Sequence, residues 1–338
     1  MSIYEWKDVY LAEAELNVED LYWFGFFTLI LILFLVDYLY SPSTLSAGLI
    51  YLLLSFISGI FFLGAATTDN QLFGYVFYGD EISPFRTLLD IAVGAVMGTI
   101  LVAGLLGFAI VYNPSPFALA PSASLINNLI LLLIVGFLGV EAEEMFRTST
   151  LLPSLLRYTA NETFVLGLYA GIIIFSIVLL FFLLQFYGIT VFFIVALLLS
   201  VDVGIAHYYN PRKGVEVHPV FQHAQGILFT SLIFMMLHVL AYGNGSYTTN
   251  LQSYIAAFVF AVVMDTANAL LGSAIASRIA HSINNSVLAA TALGLPLYYA
   301  GLVVVIYALF ILTVGSVFKH EGFRDLIFRA PAINAIRG

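Results

Sequence analysis

The stretch Leu125-Ile-Asn-Asn-Leu-Ile-Leu-Leu-Leu-Ile-Val-Gly-Phe-Leu-Gly-Val-Glu-Ala-Glu-Glu-Met-Phe-Arg147 decides how the chain is read. Its first sixteen residues carry no charge, and its last seven carry three carboxylates and a guanidinium. A helix crosses a bilayer core of about 30 Å with about 20 apolar residues. Runs of that kind recur along all 338 residues. Hydrophobic residues make up 62% of the chain and charged residues only 9%, against about 25% charged in an ordinary soluble domain. Mean hydropathy is +1.02. Such a chain cannot solvate its own surface, so the sequence reads as a multi-span membrane protein.

Apolar runs between polar or Pro/Gly breaks give about ten spans. They fall near 22–39, 44–65, 86–112, 123–145, 163–185, 188–208, 223–243, 251–268, 274–293 and 297–317, the eighth and ninth being parted only by Ala269 to Ser273. With the N-terminus inside, Lys7, Arg86, Arg147, Arg157, Arg212, Lys213, Arg278, Lys319, Arg324, Arg329 and Arg337 all sort to one face. The opposite loops, Asn113-Pro-Ser-Pro and Tyr242-Gly-Asn-Gly-Ser-Tyr among them, hold no Lys or Arg. Positive charge gathers on the cytoplasmic side, so the expected fold is an all-α polytopic transmembrane helix bundle with both termini cytoplasmic. Residues 1–338 read as a single transmembrane domain, with 318–338 an interfacial tail whose Phe323-Arg-Asp-Leu-Ile-Phe-Arg329 has an apolar and a basic side. The expected location is the cell membrane, as an integral multi-pass protein whose first partner is the lipid bilayer.

Other counts exclude function classes. Eleven Lys and Arg against twenty Asp and Glu give a formal net charge of −9, which is no footprint for nucleic acid. The absence of cysteine removes disulfides, thiolate metal sites and thiol nucleophiles. The N-terminus has no positive n-region and no early apolar stretch, so it does not read as a cleavable signal peptide. Gly94 and Gly98, like Gly167 and Gly171, have the small-xxx-small spacing that lets helices approach closely.

In a bilayer an ionisable residue is costly and usually faces a partner or a wet cavity, so the few polar groups within spans carry the information. Glu143 and Arg147 are four apart on the fourth span and Glu144 and Arg147 three apart, so either carboxylate can pair with the guanidinium. A carboxylate poised to take a proton from water is what a general base needs; an interfacial charge cluster at a helix end is the plainer alternative. On the seventh span Phe234 and His238 share a face at i, i+4, where a hydrogen-bonded structural histidine is the plainer alternative. On the ninth span His281 and Asn285 project together, two donors able to hold a developing oxyanion, or else a polar packing pair. Asp202 with His207 could serve a proton or cation, Asp265 and Asn268 line a cavity or cap a helix end, and His218 and His223 sit in a polar loop.

Taken in order, the paired-glutamate helix, Phe234-x-x-x-His238 and His281-x-x-x-Asn285 resemble the CAAX prenyl-protease and bacteriocin-processing family (CPBP, also called Abi) of intramembrane proteases. That family is marked by E-E-x-x-x-R, F-x-x-x-H and H-x-x-x-N/D on separate transmembrane helices. The resemblance covers roughly 123–293, the protease-like core, and Gly272-Ser273 is similar to the lead into the family's third motif helix. The first motif here is one residue short, Glu143-Glu144-x-x-Arg147, which leaves the catalytic glutamate open between Glu143 and Glu144, with Glu141 a distant third.

The resemblance implies an intramembrane endopeptidase acting on membrane-anchored or membrane-adjacent polypeptides. Glu143 or Glu144, with His238, would activate water; His281 and Asn285 would stabilise the oxyanion; Arg147 would orient the glutamates, and Phe234 would support His238. Glu143, His238 and His281 are reasonable zinc ligands, yet a carboxylate–histidine pair activates water without metal, so zinc stays open as a cofactor. Two rivals remain: a non-catalytic membrane-complex subunit or pseudoprotease, and a polytopic transporter using Asp202, Asp265 and the glutamates.

Overall fold

A computed structural model of the chain describes residues 84–112, 121–148, 152, 224–241 and 251–318. These residues form seven α-helices and one π-helical segment: α1 (Pro84–Tyr112), α2 (Leu125–Leu133), the π segment (Ile134–Gly139), α3 (Val140–Phe146), α4 (Ala224–Ala241), α5 (Leu251–Leu271), α6 (Ile275–Ala292) and α7 (Leu297–Phe318). There is no strand among the described residues, and the all-α expectation holds there. Six of the expected spans coincide with these helices to within three residues at each end; those near 22–39, 44–65, 163–185 and 188–208 lie outside the described residues. Phe85–Gly104 and Leu297–Gly315 are long and apolar enough to cross a membrane, and Leu125–Gly139, Gly226–Met235 and Ile255–Leu271 are shorter apolar stretches.

The chain divides into two compact units. One comprises Met1, Ser55–Thr150 and Leu271–Gly338, and the other comprises Ser2–Leu54 and Leu151–Leu270. In the first unit α6 is the central helix. Every residue from Ile275 to Ser282 is buried, although that run includes Ser277, Arg278, His281 and Ser282. Two glycines explain how close its neighbour lies. A Cβ on Gly98 of α1 would stand 2.9 Å from the Ala280 Cα, and one on Gly94 would meet the Ala276 carbonyl and, at 2.9 Å, the Ile279 Cβ. The glycine pair of the third span therefore packs a helix within one chain. Because the contacts advance in step, 94 with 276 and 98 with 280, α1 and α6 run in the same direction.

The ends of α6 are fixed by backbone chemistry. Gly294 has φ +66°, the Gly294 amide donates to the Thr291 carbonyl and the Leu295 amide to the Ala290 carbonyl. This is a Schellman stop, which a left-handed glycine makes cheap, and Pro296 then leads into α7. At the other end Gly272 has φ +62°, and Arg86 of α1 donates to the Leu271 carbonyl at 2.8 Å while bonding Asp90 at 3.1 Å. Val140, Ile275, Ile279, Tyr307 and Ile311 form one apolar cluster; Leu132, Ala289, Ala290, Leu293, Ala300 and Val303 are in another. Leu88, Val96, Ile100, Leu302, Val305 and Leu309 are exposed, as residues bordered by lipid would be.

Candidate functional site

The fourth expected span is not one uninterrupted α-helix. Ser124 caps α2, accepting from the Asn127 amide, and the helix then widens into the π segment before α3 begins. A π turn inserts about one residue, which at 3.6 residues per turn rotates everything downstream by about 100°. The widening occurs where α6 comes closest. Gly136 has no room for a Cβ against Ser286, and its carbonyl accepts from the Ser282 hydroxyl at 2.7 Å. Immediately beyond it lie Glu141, Glu143 and Glu144, all three brought against α6 or α7.

Glu144 is fully buried. Its Oε1 receives Arg147 Nη2 at 2.6 Å and lies 2.7 Å from His281 Nδ1, while Oε2 accepts from the Ser277 hydroxyl at 3.1 Å. The Thr148 hydroxyl donates to the Glu144 carbonyl at 2.8 Å, fixing the end of the helix. Arg147 is equally buried. Glu143 differs: its side chain keeps 14% exposure, and its Oε2 lies 3.3 Å from His281 Nε2. The imidazole of His281 therefore stands between two neighbouring carboxylates, one enclosed and one open. Asn285, one turn on, is buried and accepts from Asn284 Nδ2 at 3.1 Å.

A second charged group lies beside the first. Arg278, fully buried, bonds Glu141 Oε2, donates from Nε to the Tyr307 hydroxyl at 3.2 Å, and stands 5.7 Å from the Tyr307 ring centre. The Tyr307 hydroxyl in turn donates to Glu141 Oε2 at 2.7 Å. Burying a guanidinium costs several kcal/mol unless a counter-charge and hydrogen bonds offset it, and Glu141 with Tyr307 supply both.

Of the residues expected from sequence, the structure brings Glu143, Glu144, Arg147 and His281 together and places Asn285 on the same helix as His281. Phe234 is buried in α4; His238 also lies in α4, but its side chain is outside the described residues, as are Asp202, His207, His218 and His223. In the second unit Asp265 is fully buried and accepts from the Ser231 hydroxyl at 3.3 Å. Sequence reasoning missed Ser277, Arg278 and Tyr307. Ser277 and His281 are i, i+4, a signal that was present. Arg147 and Arg278, which the sequence sorts to the inner face, are both buried in ion pairs, with Glu144 and Glu141.

Of the zinc ligands expected from sequence, Glu143 and His281 are described and the His238 side chain is not. Among the described residues no group of three or more His, Asp or Glu side chains is arranged to hold a metal ion. Glu144 is bonded to the Arg147 guanidinium, and a dication at that carboxylate would stand against a buried positive charge. His281 Nδ1 is directed at Glu144, which leaves Nε2, 3.3 Å from Glu143 Oε2, as the nitrogen that would ligate a metal.

No family model, no curated protein and no solved structure matches the chain.

Proposed function

We propose that this protein is an intramembrane endopeptidase of the CAAX-protease and bacteriocin-processing type, built as an all-α bundle of about ten transmembrane helices in the cell membrane. The observation that carries the reading is the set of buried Glu144, Arg147 and His281 with half-buried Glu143, one imidazole held between two carboxylates of unequal exposure. Mere charge clusters at helix ends are solvated; this one is enclosed, and its members are directed at one another.

The unequal exposure divides the labour. Glu144 has its oxygens committed to Arg147, His281 and Ser277, which suits a group that orients rather than reacts. Glu143 is the less enclosed of the two, its side chain 14% exposed, and takes the part of general base. Water attacks the scissile carbonyl carbon as Glu143 takes its proton; when the tetrahedral intermediate collapses, the C–N bond breaks and that proton passes to the leaving amine. His281 Nε2 and the Asn285 amide face the charge that develops on the carbonyl oxygen. The family resemblance would give His238 a share in activating water; its side chain lies outside the described residues. Substrates are polypeptides anchored in or beside the bilayer.

The test is cleavage of reporter polypeptides by the purified full chain in lipid. Glu143→Gln and His238→Ala should each lower the rate by about 10²–10⁴-fold, the usual contribution of acid–base groups. Ser277→Ala, which leaves the reacting atoms in place, should retain most of it. A folded wild type that cleaves no reporter would move the assignment to a non-catalytic membrane subunit, in which the same contacts serve helix packing.

A further inference from the structure

Two neighbouring carboxamides on α6 present opposite chemistry. Asn284 and Asn285 follow His281 by three and four residues, so both sit one turn on and their directions flank that of the imidazole. Asn284 is 8% exposed and Asn285 9%. Asn284 Nδ2 donates to Asn285 Oδ1 at 3.1 Å. That bond occupies the oxygen of Asn285 and leaves its Nδ2 as the end able to donate. It equally commits the nitrogen of Asn284 and leaves Oδ1 as the end able to accept. The pair thus holds one donor and one acceptor side by side.

Asn284 Oδ1 is buried and finds no hydrogen-bond partner among the described residues. A buried acceptor without a donor is costly, and native structures keep few of them. The Ser286 hydroxyl, also orphaned on this helix, is pressed against Gly136 of the π segment. Asn284 Oδ1 instead adjoins the amide that the proposed proteolysis assigns to the oxyanion. A donor brought by the substrate would satisfy it.

An extended peptide carries such a donor in the required place. In a strand the N–H and the C=O of one residue point to the same edge, so facing residues of an antiparallel pair exchange both hydrogen bonds. With the attacked carbonyl oxygen at Asn285 Nδ2, the N–H of the same residue is directed at the neighbouring acceptor. Two adjacent side-chain amides then do the work of one residue in a partner strand.

We infer that Asn284 binds substrate: its Oδ1 accepts the backbone N–H of the residue whose carbonyl is attacked, while Asn285 holds that residue's carbonyl oxygen. The inference rests on the proposed proteolysis. It makes the substrate extended at the cut and demands an N–H on the residue before it. Proline is therefore excluded from that position, and the demand falls on the backbone rather than on the side chain.

The test uses the purified full chain in lipid and a reporter polypeptide that it cuts, with the cut bond mapped by mass spectrometry. In a second reporter an ester oxygen replaces the N–H of the residue before the cut. In a third the same replacement is made further upstream. Wild type should cleave the second with kcat/KM about 10–100-fold below the first, as expected when a buried acceptor is left without its donor. The third should behave like the first. Asn284→Leu keeps the side-chain size but removes the acceptor, and should cleave the first and second at equal, lowered rates.

Equal cleavage of the first two reporters by wild type overturns the inference, leaves the protease reading standing, and depends on no variant folding. A folded Asn284→Leu that still rejects the ester also overturns it, since another group then reads the N–H. A folded wild type that cleaves no reporter overturns the protease reading and the inference with it.

Discussion

Glu144 Oε1 lies 2.7 Å from His281 Nδ1 and 2.6 Å from Arg147 Nη2, so a single buried oxygen holds both the imidazole and the guanidinium. Substituting one partner strands the other's charge. Glu144→Gln should therefore destabilise the folded chain by about 3–5 kcal/mol, the usual cost of breaking a buried ion pair. The double variant Glu144→Leu with Arg147→Met should cost less than Glu144→Leu alone. Reversible unfolding in mixed micelles, compared across the variants, checks both statements.

Tyr307 bridges Glu141 and Arg278 through one hydroxyl. Tyr307→Phe keeps the ring within the cluster of Val140, Ile275, Ile279 and Ile311 but removes that bridge. The expected loss is about 1–3 kcal/mol, the cost of leaving a buried polar group short of a partner. Arg278→Lys should not be tolerated as a conservative change, because an ammonium cannot reach Glu141 and the Tyr307 hydroxyl with the planar fork of a guanidinium. The same unfolding measurement, read for both variants, tests the bridge.

Gly98 and Gly104 are six residues apart on α1 and should respond oppositely to alanine. A Cβ at Gly98 would lie 2.9 Å from the Ala280 Cα, whereas one at Gly104 meets nothing within 4 Å. Gly98→Ala forces α1 and α6 apart, with an expected cost of about 1–3 kcal/mol. Gly104→Ala should be neutral or stabilising by up to about 1 kcal/mol, since it removes backbone freedom from the unfolded chain. Melting of the two variants in the same detergent would decide it.

At the π segment the contact between Gly136 and Ser286 makes a fourth test. The Ser286 hydroxyl is buried without a hydrogen-bond partner, so Ser286→Ala should be neutral or slightly stabilising. Gly136→Ala should be harmful, because its Cβ would meet the Ser286 hydroxyl and lie 3.1 Å from Ser286 Cβ and Val303 Cγ1. Combining the two should recover part of the loss. Full additivity, measured by unfolding of all three variants, would show that the two residues do not meet.

Much of the helix pattern could be read directly from the chain. The apolar runs near 86–112, 251–268, 274–293 and 297–317 match α1, α5, α6 and α7 because each ends where a proline, a left-handed glycine or a polar turn stops a helix. The motif spacings also put Glu143, Glu144, Arg147 and His281 on the right elements. Which of the two glutamates is enclosed was not legible. Adjacent positions on a helix differ by about 100° in direction, and only a neighbour decides which of the two is covered. The π segment was equally invisible, since the run Ile134-Val-Gly-Phe-Leu-Gly139 satisfies α and π hydrogen bonding alike.

Composition and the period of apolar residues thus pointed to an apolar, helical chain, which holds among the described residues, and singled out the polar residues that such a chain can least afford to strand. Those are properties of local segments, and a sequence states them directly. Which charge meets which was decided only in three dimensions. Arg278 reaches Glu141 across 137 residues and Tyr307 across 29, and Arg147 could satisfy either Glu143 or Glu144 from its place on the helix. The selection comes from α6, whose small residues admit α1 so closely and whose Ser277 and His281 meet Glu144 and enclose it. A buried charge takes the partner that packing leaves within reach.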